Sequence, residues 1–205
     1  MPPLLFIARR HWTARAALVA GLTLYANGAK ADGLEGRVTV PSARDGRDVV
    51  VYVDRMPGKS FTPPAAPAVI DQRNLSFQPH VSAVMVGTRV AFPNNDAIRH
   101  NVFSPTKGAA FDLGSYPLKA TKFQTFDRPG IVTVLCNVHA EMSAYIVVTE
   151  TPYFAVSDKD GRFVIPNLPA GRYVVVAWHE RAGTTRQIVD VPSGGPASVT
   201  FALGR

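Results

Sequence analysis

This sequence is short of the residues from which disulfides, membrane spans and helical bundles are made. It has one cysteine, five histidines and four methionines among 205 residues. A single cysteine excludes an intrachain disulfide and any metal centre that needs two thiolates. The longest apolar run, from Ala16 to Ala26, is eleven residues long, and a bilayer span needs about twenty. Apolar residues at helical spacing are nearly absent beyond that run, which excludes a helical bundle or coiled coil. Acidic residues are also scarce, 15 against 22 basic ones.

The basic excess sits largely at the start of the chain. Arg9, Arg10 and Arg15 precede and open the apolar run, and Ala29-Lys30-Ala31 follows it. This is the order of an export signal: a positive segment, an apolar segment and a small-residue cleavage site. Residues 1–31 are therefore expected to be removed, with Asp32 the first mature residue and the protein periplasmic or secreted, without a stable membrane span. Taking away four basic residues and no acidic one leaves a net charge of +3 rather than +7. Nucleic-acid binding, which wants a basic stripe, loses its support. A mild electrostatic preference for an acidic partner remains.

What the mature chain does have is short runs of Val, Ile, Phe and Tyr bounded by Gly, Pro, Asn and Asp, the pattern of an all-β protein. Strands are predicted over residues 36–40, 48–54, 81–86, 88–92, 101–103, 121–126, 131–135, 144–149, 162–165, 173–179, 187–191 and 198–203. Gly87 is expected to join its two neighbours as a hairpin or an arch. Residues 56–67 carry Pro57, Pro63, Pro64 and Pro67 and are predicted to be loop, because proline cannot donate to a ladder.

The chemistry is concentrated in Cys136-Asn137-Val138-His139-Ala140-Glu141-Met142, with His100 thirty-six residues upstream of the cysteine. Two imidazoles, one thiolate and one thioether are the donors of a trigonal His₂Cys copper site with a weak axial Met. The soft sulfur donors suit Cu(I) and imidazole serves both oxidation states. A strand ending at Cys136 would let one tight loop present Cys136, His139 and Met142 to one point, with His100 the fourth ligand. Taken singly, a lone Cys or Met is usually a buried apolar side chain. Taken together at this spacing, they point to one mononuclear copper.

At these residues the chain resembles the cupredoxins, particularly the amicyanin and pseudoazurin group that uses a Cys-x-x-His-x-x-Met loop. Asn94-Asn95-Asp96 followed by His100-Asn101-Val102 is similar to the segment carrying that family's first histidine. The resemblance implies a type 1 (blue) copper site cycling between Cu(I) and Cu(II). It also implies that Asn101, itself not a ligand, ties the two ligand loops together. The chain departs from the family at Arg99, where many relatives have Pro, and at Leu135, where an aromatic often precedes the cysteine. Both leave the donors intact and bear on potential and partner surface.

Ser157-Asp158-Lys159-Asp160-Gly161-Arg162-Phe163, with Leu168-Pro169-Ala170-Gly171-Arg172-Tyr173 after it, resembles the carboxypeptidase regulatory-like module. That is a transthyretin-like, carbohydrate-binding-like sandwich. Such a module opens with a Gly-x-Val strand and an apolar strand, and Gly36-Arg37-Val38 and Val49–Val53 supply both, but upstream of the copper segment. The expected fold class is thus a cupredoxin Greek-key β-sandwich plus a second, discontinuous sandwich. Residues 33–55 would join 152–205, with the copper domain, 69–151, inserted between them. The simpler alternative gives the early strands to the copper domain.

The resemblance implies an electron carrier, not an enzyme, working between a donor such as a dehydrogenase or cytochrome and an acceptor. Copper storage or delivery is the alternative, although such proteins tend to display clustered Met or His. A third reading makes the outer sandwich a carbohydrate- or surface-binding module around a structural copper, with only Tyr153, Phe154 and Trp178 to support it. A multicopper oxidase needs far more histidines. Asp158 and Asp160 read as residues of a hairpin turn at Asp160-Gly161 rather than calcium ligands, and His179 reads as structural or exposed. His80 reads as a surface residue that could approach the copper edge, and Asn74-Leu75-Ser76 is a sequon too short to carry weight. Asp71-Gln72-Arg73 has no assigned role.

Overall fold

The computed structural model describes residues 32–204, and the leader expected over residues 1–31 lies outside them. Among the described residues the chain forms strands and turns and no helix, so none of it is long and apolar enough to cross a membrane as a helix. In chain order the strands are β1 (Gly33–Thr39), β2 (Val50–Val53), β3 (Ala68–Val69), β4 (Asp71–Arg73), β5 (Ser76–Gln78), β6 (Val81–Met85), β7 (Thr88–Pro93), β8 (His100–Ser104) and β9 (Phe111–Tyr116). They continue as β10 (Thr121–Phe126), β11 (Gly130–Leu135), β12 (Ser143–Thr149), β13 (Phe154–Val156), β14 (Arg162–Pro166), β15 (Gly171–His179), β16 (Gly183–Val191) and β17 (Pro196–Ala202).

Four sheets stack as two sandwiches. The outer sandwich packs the sheet β14-β1-β17 against β13-β2-β15-β16. The inner one packs β10-β7-β3 against the five-stranded sheet β6-β12-β11-β8-β9, and β4-β5 is a separate small hairpin. The two earliest strands pair only with late ones. β1 is antiparallel to β14 and parallel to β17, and β2 is antiparallel to β13 and β15. Everything from β3 to β12 lies between those two sets of pairings in sequence.

Alternation builds the layers, because successive side chains in a strand point to opposite faces. In β2, Val51 and Val53 enter the outer core with Val175, Ala177, Phe163 and Phe201. The intervening Tyr52, and Val50 before Val51, face the other way, meeting Val81, Val147 and Trp178 between the sandwiches. In β12, Ala144, Ile146 and Val148 enter the inner core with Val90, Phe92 and Val134. Tyr145 and Val147 turn to the layer between. One face of each of these strands is core and the other is interface, which is why both read as near-continuous apolar runs.

One turn settles an open alternative and another departs from expectation, both for the same reason. Gly87 joins β6 and β7, which lie in facing sheets, so the connection is an arch and not a hairpin. Asp160-Gly161 likewise joins β13 to β14 across the sandwich. Its tight turn is closed by the Gly161 amide donating to the Asp158 carbonyl (2.9 Å) and by Asp158 Oδ1 accepting from the Asp160 and Arg162 amides. That use of Asp158 accounts for its acid without a cation. Strands β3, β4, β5, β9 and β13 were not expected. Each is two or three residues long except β9, whose Asp112 and Gly114 break the apolar pattern.

Gly161 carries a steric requirement. Its φ is +74°, and a Cβ there would lie 2.1 Å from the Val38 carbonyl oxygen, while its own carbonyl accepts from the Val38 amide at 2.8 Å. Gly161→Ala is expected to cost at least about 2 kcal/mol, from left-handed strain plus displacement of β1. Urea denaturation of purified protein measures it, and an unchanged midpoint would show that β1 does not lean on this turn.

Candidate metal centre

Strand parity brings the predicted donors together. Val132 and Val134 point into the inner core from β11, and Cys136, two residues on, follows them there. Ala144, Ile146 and Val148 do the same from β12, and Met142, two residues before, shares their face. In β8, His100 and Val102 are both fully buried. The loop from Cys136 to Met142 is then closed by two main-chain bonds. The Cys136 amide donates to the Met142 carbonyl (3.2 Å), and the Met142 amide to the His139 carbonyl (3.1 Å).

His100, Cys136 and His139 offer donor atoms that all lie within 4.8 Å of one another. His100 Nδ1 is 3.1 Å from His139 Nδ1 and 4.0 Å from Cys136 Sγ. Cys136 is buried, His139 half-buried and Met142 1% exposed at the foot of the same loop. Two imidazole nitrogens and a sulfur at these separations enclose the space one first-row ion takes up with bonds of about 2.0–2.3 Å, as at zinc.

The group that orients His100 is Asp96. Its Oδ2 accepts from His100 Nε2 at 2.8 Å, so the Nε2 proton is spoken for and Nδ1 turns its lone pair toward Cys136 and His139. The same carboxylate accepts from the amides of Asn74 (2.7 Å) and Leu75 (3.0 Å). Burial works to raise the Asp96 pKa. The Leu75 amide, His100 and the Asn74 amide outweigh it, and the carboxyl is held below its usual range. The residues of the sequon thus form the β4–β5 turn, Asn74 and Leu75 at φ +53° and +56°, with their amides aimed at Asp96.

Asn101 Oδ1 accepts from the Asn137 amide at 3.3 Å, and its Nδ2 donates to Asp112 at 2.7 Å. It therefore bridges the β8 segment, the cysteine loop and β9. Gln72, from the triplet without a role, is fully buried. Its Nε2 donates to the Pro93 carbonyl (3.1 Å) and the Tyr116 hydroxyl (2.6 Å), and that hydroxyl donates to the Phe92 carbonyl (2.9 Å). Burial pushes the Tyr116 phenol well up, which keeps it a neutral donor.

Asp96, Gln72 and Tyr116 were missed by sequence reasoning. The only local signal was turn chemistry in Asn94-Asn95-Asp96, where Asn94 Oδ1 accepts from the Asp96 amide (2.9 Å). His80 lies between the two sandwiches rather than at the donor cluster. His179 is buried, and burial lowers its pKa. Its Nδ1 accepts from the amides of Arg181 and Ala182.

Known proteins resemble the chain in two ways. Residues 138–204 match the family described as the carboxypeptidase regulatory-like domain. The match starts inside the cysteine loop and takes in β12, although β12 lies in the inner sandwich. Similar solved structures include a reduced amicyanin variant, 24% identical, covering 42% of this chain and 84% of that one at a TM-score of 0.39. A Cu-containing nitrite reductase from Thermus scotoductus is 25% identical over 48% of this chain and 25% of its own, with a TM-score of 0.40. A purple cupredoxin from Nitrosopumilus maritimus is 20% identical over 40% of this chain and 99% of its own, with a TM-score of 0.37. No curated protein matches.

Removing the Asp96 carboxylate would take a charged acceptor from the Asn74 and Leu75 amides and release the His100 ring. Asp96→Ala is expected to lower stability by about 2 kcal/mol, the scale of hydrogen bonds to a charged acceptor. Affinity for an ion titrated into the donor cluster should fall about ten- to a hundredfold. Denaturant unfolding of the metal-free protein and copper titration read the two effects separately.

Proposed function

We propose that this chain is an exported type 1 copper protein that carries single electrons between redox proteins. The observation that carries the reading is the convergence of His100, Cys136 and His139 on one point, with Met142 buried at the foot of the same loop. Copper bound there supplies one-electron chemistry by passing between Cu(I) and Cu(II). His100 and His139 would offer Nδ1, Cys136 its thiolate and Met142 a weak thioether donor. Asp96 fixes the His100 tautomer, and Asn101 holds the two ligand segments at a constant spacing. Holding donors still through the redox cycle is what an electron carrier needs.

The half-buried His139 is the exit we assign to the electron. Val138 beside it is 51% exposed and Ile98, two residues from His100, 44% exposed, which gives this end apolar surface for a transient partner. A dehydrogenase or cytochrome donor and a separate acceptor are the partners that fit. The outer sandwich, residues 33–55 with 152–205, we read as a split scaffold around the inserted copper domain, residues 69–151.

Copper-loaded protein is expected to show an intense visible thiolate-to-copper band. Cys136→Ser should abolish it, while Met142→Leu should keep colour and shift the midpoint potential. A colourless Cu(II) complex of the unmutated protein would exclude the type 1 reading. Exported material is expected to begin at or near Asp32. N-terminal sequencing checks this, and a full-length N-terminus in the membrane fraction would replace cleavage by an anchor.

A further inference from the structure

The foot of the cysteine loop is tied to the other sandwich by a residue the copper chemistry does not use. His80 stands immediately before β6, and its carbonyl accepts from the Tyr145 amide at 2.9 Å. Its ring meets Tyr145 edge-on, with centroids 5.5 Å apart and planes at 86°. Nδ1 lies 3.1 Å from the Ser143 carbonyl oxygen. A carbonyl only accepts, so Nδ1 carries the hydrogen. Ser143 directly follows Met142, so the bond grips the main chain where the loop enters β12.

The other nitrogen reaches the outer sandwich. Nε2 is 3.2 Å from Glu180 Oε2. Glu180 begins the turn between β15 and β16, and that turn is pre-shaped by the His179 ring accepting the Arg181 and Ala182 amides. Beneath the polar pair, Trp178 packs against Tyr145 with ring centroids 5.5 Å apart, in the apolar layer of Val50, Val81 and Val147. With an acceptor at each end, the ring in its imidazolium form donates from both nitrogens and is gripped from both sandwiches at once.

We propose that His80 is a positioning residue for the metal loop, transmitting the rigidity of the outer sandwich from Glu180 to the Ser143 carbonyl. Without it the loop would rest on its own two main-chain bonds, the β11–β12 ladder at Leu135–Ser143 and the Asn101 contact, and local opening would be easier. The outer sandwich then has a role in the copper site without contributing a donor. The inference deepens the electron-carrier reading, since a loop held at both ends changes little between oxidation states.

Amide hydrogen exchange on the metal-free protein tests it. In His80→Ala and in the milder Glu180→Gln, the Cys136 and Met142 amides should exchange about tenfold faster, the loss of one charge-assisted bond, while Val175 and Val176 in β15 change little. His80→Gln, which keeps one donor, should fall between, and the double variant should be no faster than His80→Ala alone. If loop and β15 amides accelerate together, or the loop amides do not change, His80 is only an adhesive between sandwiches and the proposal is overturned. Because these readings need no metal, failure to bind copper would sink the electron-carrier reading and leave this one decided on its own. Copper-loaded His80→Ala should in addition show a displaced midpoint potential, and an unmoved potential beside fast exchange would confine the effect to the empty loop and overturn the link to the metal.

Discussion

β1 runs parallel to β17 through seven residue pairs, from Gly33↔Pro196 to Thr39↔Ala202. Parallel strands so far apart in sequence pair in this way only if the intervening chain crosses back to the starting end of β1. β2 leaves the outer sandwich at Val53, and Phe154 of β13 returns to pair with Tyr52 beside it. Thr151 marks the join, its hydroxyl donating to the Val53 carbonyl at 3.0 Å. Closing a loop of that size costs only slightly more entropy than closing a short one, so a folded domain can sit inside it. β1 and β2 would otherwise be a marginal two-strand fragment with unpaired main-chain groups.

Strand existence was legible wherever the alternation was strong. The Val-rich β2, β11, β12 and β15 stood out because alternate side chains of β11, the second half of β15 and nearly all of β2 and β12 have a buried destination. β9 and the β4–β5 hairpin did not. Their large residues, Phe77, Phe111, Leu113 and Tyr116, are interrupted by polar or small ones, and the segments are tied by side-chain bonds to others tens of residues away, such as Gln72 to Tyr116. Sheet membership was less legible than existence. Gly87 left a hairpin and an arch both open, and Asp160-Gly161 looked like a hairpin turn, since a tight turn has the same local composition whether the strand after it pairs back or crosses to the facing sheet.

The donor cluster was legible for a different reason. Cys136, His139 and Met142 are close in sequence, and ligand type and spacing together say more than any residue alone. What orients them was not legible. Asp96 acts through three contacts, two to the turn at Asn74 and Leu75 and one to His100, and only the last is local. An acid in a loop carries no mark of that in the sequence. Asn101 could be singled out through resemblance to a family, whereas its bond to Asp112 depends on β9, which the pattern did not show.

β12 shows how the two sandwiches share one element. Its even positions carry the inner core down to Met142, and its odd positions, Tyr145 and Val147, carry the layer that meets Val50 and Trp178. A close-packed interior transmits displacement instead of absorbing it, so a shift of the outer sandwich against β12 would also move the residues that precede it, Met142 and the loop. The regulatory-like match begins at Val138 and includes this strand, although its hydrogen bonds run to β11 and β6. In sequence β12 runs on directly into the outer sandwich, and in pairing it belongs to the inner one. A strand so placed cannot be altered on one face without consequence for the other, and the geometry around Cys136 rests on both.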